Sequence, residues 1–158
     1  RNHKGAQSAD YIQFLALAAI GEAELNTLTW DRVNFETGRL HLRRVKTGRP
    51  FDVPIYNHLR PFLYDLWERR GKPASGPIFQ MKNSINGLRG VCKTLNYPRF
   101  TPRSLRQYGI VHQLRKGLPT KLVAKYQGHT DDYLIIKRYS EVIAENDAKY
   151  EQEQLAKL

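Results

Sequence analysis

Thr101-Pro102-Arg103-Ser104-Leu105-Arg106, then Gln127-Gly128-His129, then Tyr139 are the residues of this chain whose types and spacing could do chemistry. Such a set suits reaction at a phosphodiester of nucleic acid. The arginine clamps a phosphate, the histidine holds one of its oxygens, and the tyrosine attacks the phosphorus.

Arg103 and Arg106 stand three apart, so a helix puts them on one face. Near a helix start, backbone N–H groups and the helix dipole add to their pull on an anion. Arg106 can offer a bidentate fork to two phosphate oxygens. His129 follows a glycine that lets the chain turn sharply and carry the imidazole to a pocket. Tyr139 sits ten residues further on beside Lys137 and Arg138, whose charges favour the phenolate over a phenol of ordinary pKa near 10. Lys46, on a basic hairpin, can reach a phosphate and protonate a leaving 5′-oxygen. Each residue also has a plainer reading. The arginines could be a solvated pair, His129 a surface residue after a helix cap, Tyr139 an anchor for the last helix, and Lys46 a non-specific phosphate contact. The five histidines are scattered without a His-x3-His pair or a carboxylate partner, so neither a metal nor another cofactor is expected.

The elements that must hold these groups are legible from periodicity. Ala9 to Leu28 has helical spacing at Ile12, Leu15, Ala16, Ala19, Ile20 and Ala23, with Ser8 as a cap. Arg39 to Lys46 alternates, with Leu40, Leu42 and Val45 inward, and reads as a strand. Thr47-Gly48-Arg49-Pro50 is a tight turn into a second strand, Phe51 to Ile55. Helices are expected over Pro61–Arg70, Asn83–Leu95, Arg103–Leu114 with Thr101 as N-cap, and Pro119–Gln127 ended by Gly128. Asp131 to Tyr139 is helical, and Ser140 to Leu158 forms a last, acidic, amphipathic helix. The fold class is mainly α with a small antiparallel β-sheet, an α+β arrangement.

Charge narrows the function classes. The net charge is +11, and Arg69 to Thr130 holds 13 Lys or Arg and no Asp or Glu. Even scattering would put roughly six acids there. Such a face attracts a polyanion, and nucleic acid is the expected partner. No basic amphipathic anchor or 18-residue apolar run is present, so no membrane partner is expected. The single cysteine, Cys92, excludes an internal disulfide and fits a reducing compartment. The chain starts without Met on a helix-like run, and the expectation is one domain, residues 1–158, cut from a longer protein. The aromatic-and-glycine motif of the common RNA-recognition sheet is missing.

Taken together, these segments resemble the catalytic domain of the tyrosine recombinase, or phage integrase, family from about Ile12 to Ala144. The matching pieces are Glu24-Leu25-x-x-Leu28-x-Trp30-x-x-Val33, Val45-Lys46-Thr47-Gly48-Arg49-Pro50-x-x-Val53-Pro54-Ile55, Phe100 to Arg106, Gln127-Gly128-His129 and Tyr139. The resemblance implies that Tyr139 forms a 3′-phosphotyrosyl link with double-stranded DNA without ATP or metal. Arg106 would stabilise the pentavalent phosphorus, Lys46 act as general acid, and His129 donate to a non-bridging oxygen. DNA contacts are expected from Arg43, Arg44, Arg49, Arg99 and Thr101. The resemblance further implies a homo-oligomer, a tetramer on DNA assembled through the C-terminal helix 140–158, in the cytoplasm of a bacterial, archaeal or viral (mobile-element) setting. The alternative is a catalytically impaired relative that binds DNA in an accessory role. This sequence departs from the family pattern in three places. Gly21 stands where the first active-site arginine belongs, Arg103 where a histidine is usual, and the spacing from His129 to Tyr139 is one residue longer. Arg103 is the expected replacement charge.

Overall fold

Leu40, Leu42 and Val53 are almost wholly buried, and they set the register of a three-stranded antiparallel sheet. In the computed structural model, which describes residues 3–81 and 83–157, β1 (Val33–Asn34), β2 (Arg39–Arg43) and β3 (Pro50–Pro54) lie in that order. Leu40 pairs with Val53 and Leu42 with Phe51, so one face of the ribbon is apolar while His41 and Arg43 point outward. Around this sheet the described residues form seven α-helices: α1 (His3–Ala18), α2 (Glu22–Leu25), α3 (Arg60–Arg69), α4 (Ile85–Thr94), α5 (Pro102–Arg115), α6 (Thr120–Tyr126) and α7 (Tyr133–Leu155). The mainly helical α+β class is therefore as expected.

Two apolar clusters form. The larger joins α1, α2, the sheet and α3 through Tyr11, Phe14, Leu15, Leu25, Leu40, Val53, Leu63 and Leu66. The smaller joins α5, α6 and α7 through Ile110, Leu114, Val123, Ile135 and Tyr139. Among the described residues, no helix is long and apolar enough to cross a membrane.

The first apolar run is not one helix. α1 stops at Ala18, Ala19 takes the left-handed φ of 55°, and α2 restarts after Gly21. Ser8 lies inside α1 rather than capping it. The buried stripe is Tyr11, Phe14, Leu15 and Ala18, while Ile12 and Ala16 are half-buried and Ala23 is exposed. The break lets Ile20, Leu25 and Leu28 reach the core that a continuous helix would carry them past. It also turns the Ala19 carbonyl toward Gln127. Val45 is 54% exposed, because β2 ends at Arg43 and the alternation ends with it. The two C-terminal segments are one helix, α7, interrupted by non-helical backbone at Tyr139 (φ −121°, ψ 26°). Leu158, the predicted end of that helix, lies outside the described residues. Val142 and Ile143 pack on the smaller cluster, Asn146 donates to the Leu114 carbonyl, and Tyr150 and Leu155 are left exposed.

Candidate active site

Thr101 and Ser104 form a reciprocal capping box, each side chain accepting from the other's backbone N–H at 3.3 Å, with Pro102 at the first helical position. The box fixes where α5 begins and thus sets Arg103 and Arg106 on its first turns. Gly109 then allows α5 to touch the end of α1. A Cβ on Gly109 would stand 2.3 Å from the Ala19 Cβ. This close approach carries Arg106 under Gly21, where an added Cβ would be 3.2 Å from Arg106 Nη1.

Arg106 is held from behind by Gln127. Its Nε donates to Gln127 Oε1 at 2.6 Å and its Nη2 to the Gln127 carbonyl at 3.3 Å. Gln127 is itself buried, and its Nε2 donates to the Ala19 carbonyl at 3.0 Å. These bonds use two of the five guanidinium N–H groups and leave three for other partners. Gly128, at φ 69°, ends α6 in the left-handed region that glycine adopts freely. His129 follows, half-buried, its backbone N–H donating to the Ala124 carbonyl at 3.0 Å.

Arg103, Arg106, His129 and Tyr139 line one cavity of about 910 Å³ with Thr101, Lys137, Arg138, Gly21 and Glu24. The walls come from α2, the first residue of α4, α5, the turn after α6, and α7, and Ile110, Ile135 and Tyr139 of the smaller cluster form part of them. Its electrostatics is cationic and partly desolvated. Burial lowers the Arg106 pKa, with the Arg44 charge next in effect and Glu24 opposing. Burial also lowers the His129 pKa, helped by Arg44 and Arg106, so the neutral imidazole is favoured. Tyr139 is 9% exposed. Its burial raises the phenol pKa, and Arg138, Arg106 and Arg103 only pull part of the way back. Neighbouring cations favour the phenolate, as expected from the sequence for Arg138, but desolvation outweighs them.

The hairpin residues stand elsewhere. Lys46 lies on the exposed turn between β2 and β3 and does not line the cavity. Arg43 and Arg49 are exposed on the same hairpin, and Arg43 Nη1 donates to the Gly48 carbonyl at 3.2 Å. Arg99 is exposed ahead of α5, also outside the cavity. Arg44 differs from its neighbours: it turns inward, donating from Nη1 to Glu24 Oε1 at 3.1 Å. Gln127, known from the sequence only as part of a Gln-Gly-His motif, proves to be the residue that orients Arg106. The signal available was its place one residue before the turn glycine. Among the described residues, no group of three His, Cys, Asp or Glu could hold a metal ion.

A mainly helical domain with a three-stranded sheet and a shared Arg–His–Tyr cavity defines the class of protein. The phage integrase family model matches residues 2–146, and the chain belongs to that family. Solved structures share the fold. The crystal structure of XerA recombinase is 15% identical over 86% of this chain, with a TM-score of 0.66. The Tn1549 transposon integrase in complex with transposon right end DNA is 18% identical over 93%, with a TM-score of 0.64. A lambda integrase dimer bound to a core site is 15% identical over 90%, with a TM-score of 0.61. This chain spans 62%, 58% and 53% of those three chains. Among curated proteins, none matches the sequence.

Proposed function

We propose that the protein is a site-specific DNA recombinase that cleaves and rejoins strands through a 3′-phosphotyrosyl intermediate. The observation that carries this reading is the convergence of Tyr139, Arg106, His129 and Arg103 on one cavity. The Tyr139 oxygen attacks phosphorus as its phenolic proton passes to water, the bond to the 5′-oxygen breaks, and the 5′-oxygen takes up a proton from the Lys46 ammonium. Arg106 stabilises the charge that grows on the non-bridging oxygens, with its fork already oriented by Gln127. His129, neutral, donates one N–H to the same oxygens, and Arg103 adds charge at the cavity mouth. Lys46 serves as general acid, which requires the exposed β2–β3 turn to close over bound DNA. The raised phenol pKa suits a nucleophile that loses its proton only as the bond to phosphorus forms. Attack by a 5′-hydroxyl of another strand reverses the step and releases Tyr139.

Arg43, Arg49, Arg99 and Thr101 are proposed contacts to duplex DNA, while Arg44, expected among them from the sequence, is turned inward to Glu24. Tyr150 and Leu155, exposed on the acidic end of α7, are proposed to dock on a neighbouring protomer in a tetramer on DNA. The lambda integrase solved as a tetramer on a Holliday junction supports the tetramer, though not the role of α7, by analogy. We read residues 1–158 as a catalytic domain working with a separate N-terminal DNA-binding domain, in the cytoplasm of a microbial host or its mobile elements. The second reading, an accessory DNA binder without catalysis, is favoured by one observation, the absence of a side chain at Gly21. A duplex nicked near the scissile phosphate tests both. Covalent adduct formed by wild type and absent from Tyr139→Phe is expected, whereas tight binding without adduct would sink the enzyme reading.

A further inference from the structure

Glu24 is 5% exposed and lines the cavity that the proposed function gives to a phosphate. A carboxylate there repels the ligand, and burying it unpaired is costly. It is also close to the central guanidinium. Glu24 Oε2 and Arg106 Nη1 both lie within 3.2 Å of the point where a Cβ would stand on Gly21. Position 21 can therefore supply no cation unless Glu24 moves, since that Cβ would be 2.2 Å from Oε2. Charge reaches Glu24 from the opposite side instead. Arg44, just past the end of β2, donates to Oε1 at 3.1 Å with its side chain only 20% exposed. Its stem is clasped by the turn after α6, where a Cβ on Gly128 would sit 2.8 Å from Arg44 Cδ. That clasp requires glycine at the residue preceding His129. Arg44 does not line the cavity; it reaches the wall through Glu24.

We propose that Arg44 is a positioning residue of the phosphate site: it neutralises Glu24 and so takes over the work of the cation that Gly21 does not provide. The groups facing Glu24 are Arg44 from the hairpin, Arg106 from α5 and His129 after α6. With Arg44 in place the site presents Arg106 and His129 to an oxyanion undiminished. Without it, Glu24 competes for Arg106. This distinguishes Arg44 from Arg43 and Arg49, whose exposed side chains suit contacts along the DNA backbone. The proposal rests on the phosphate-binding reading of the cavity.

The test follows the His129 ring signals of the full chain by NMR during titration with inorganic vanadate, alongside adduct formation on the nicked duplex. Arg44→Ala is expected to weaken vanadate binding about tenfold or more and to slow adduct formation by about 10²-fold, in the range of lost preorganised charge. Arg44→Ala combined with Glu24→Gln is expected to regain much of both. Lys72→Ala, in the connection after α3 and outside the cavity, is the control expected to match wild type. Glu24→Gln alone should bind vanadate at least as tightly as wild type, a result readable even if Arg44→Ala does not fold. Wild-type behaviour from Arg44→Ala overturns the proposal, and so does a double variant as weak as the single one, or weaker binding by Glu24→Gln. Vanadate binding that depends on Arg44 in a protein that forms no adduct upholds the proposal and overturns strand cleavage. A wild-type protein with neither vanadate response nor adduct overturns both. If adduct forms without a vanadate response, the adduct rates of the same variants decide.

Discussion

Arg106 and Lys46 carry the same sign of charge, yet the molecule treats them in opposite ways. Arg106 is wedged between Gly21 and Gln127, with two of its donors already bonded and its fork set. Lys46 rides an exposed turn, outside the cavity. The first arrangement meets the ordering cost during folding, so the guanidinium is ready before ligand arrives. The second leaves that cost to the moment a ligand binds. Under the proposed reaction the contrast becomes a division of labour: fixed charge for the phosphorus, and recruited charge for the leaving group, which becomes basic only once the bond breaks.

The largest expected effect breaks the comparison on the hairpin side. Lys46→Ala should slow cleavage by about 10²–10⁴, the usual worth of a general acid. A substrate with sulfur in place of the bridging 5′-oxygen should restore it, because a thiolate leaves without a proton. Equal defects on both substrates would remove Lys46 from the chemistry. Next comes the wall. Arg106→Ala should cost about 10²–10³ in cleavage rate with DNA affinity nearly kept. Gln127→Leu, which spares the charge but frees the fork, should cost up to about 10². If Gln127→Leu cleaved like wild type, preorganisation would not be what separates wall from hairpin. Smaller still, Arg49→Ala should weaken DNA binding at every sequence and lower the slope of log affinity against log salt by about one. A drop in cleavage at saturating DNA would instead place Arg49 at the reacting phosphate. The smallest effect is on pH. His129 has a lowered pKa in the fold, so the unfolded chain binds its proton more readily. Its contribution to stability is present above the ordinary imidazole range and is lost as pH falls through it. Urea melts on the acid and alkaline sides of that range should show His129→Gln with a flatter dependence than wild type.

Local signals in the chain carried much of the architecture. Thr101-Pro102 marks the start of α5 because a cap and a pre-set φ act within four residues. Thr47-Gly48 marks the hairpin, and Gly128 the end of α6, for the same short-range reason. Arg106, His129 and Tyr139 were recognisable as a set by type and order, and they do share a cavity. Signals failed where a distant partner decided. The run from Ala9 to Leu28 is apolar throughout, and only packing against α5 and the core breaks it at Ala19. Arg44 reads as one more basic hairpin residue, because its partner Glu24 lies 20 positions away. The charge beside Tyr139 is visible in the sequence and does favour the phenolate, but the desolvation that outweighs it is not visible there.

What the residues determined unaided was the inventory: a basic chain, its helices and hairpin, and an arginine, a histidine and a tyrosine in a recognisable order. Periodicity, caps and turns act over a few residues, so one dimension is enough to read them. What the tertiary structure alone decided was the condition of each charge. Gln127 orients Arg106, Arg44 cancels Glu24, and burial holds the Tyr139 proton, all through contacts between segments far apart in the chain. Electrostatic energies depend on distance and on the exclusion of water, and both exist only once those segments have packed.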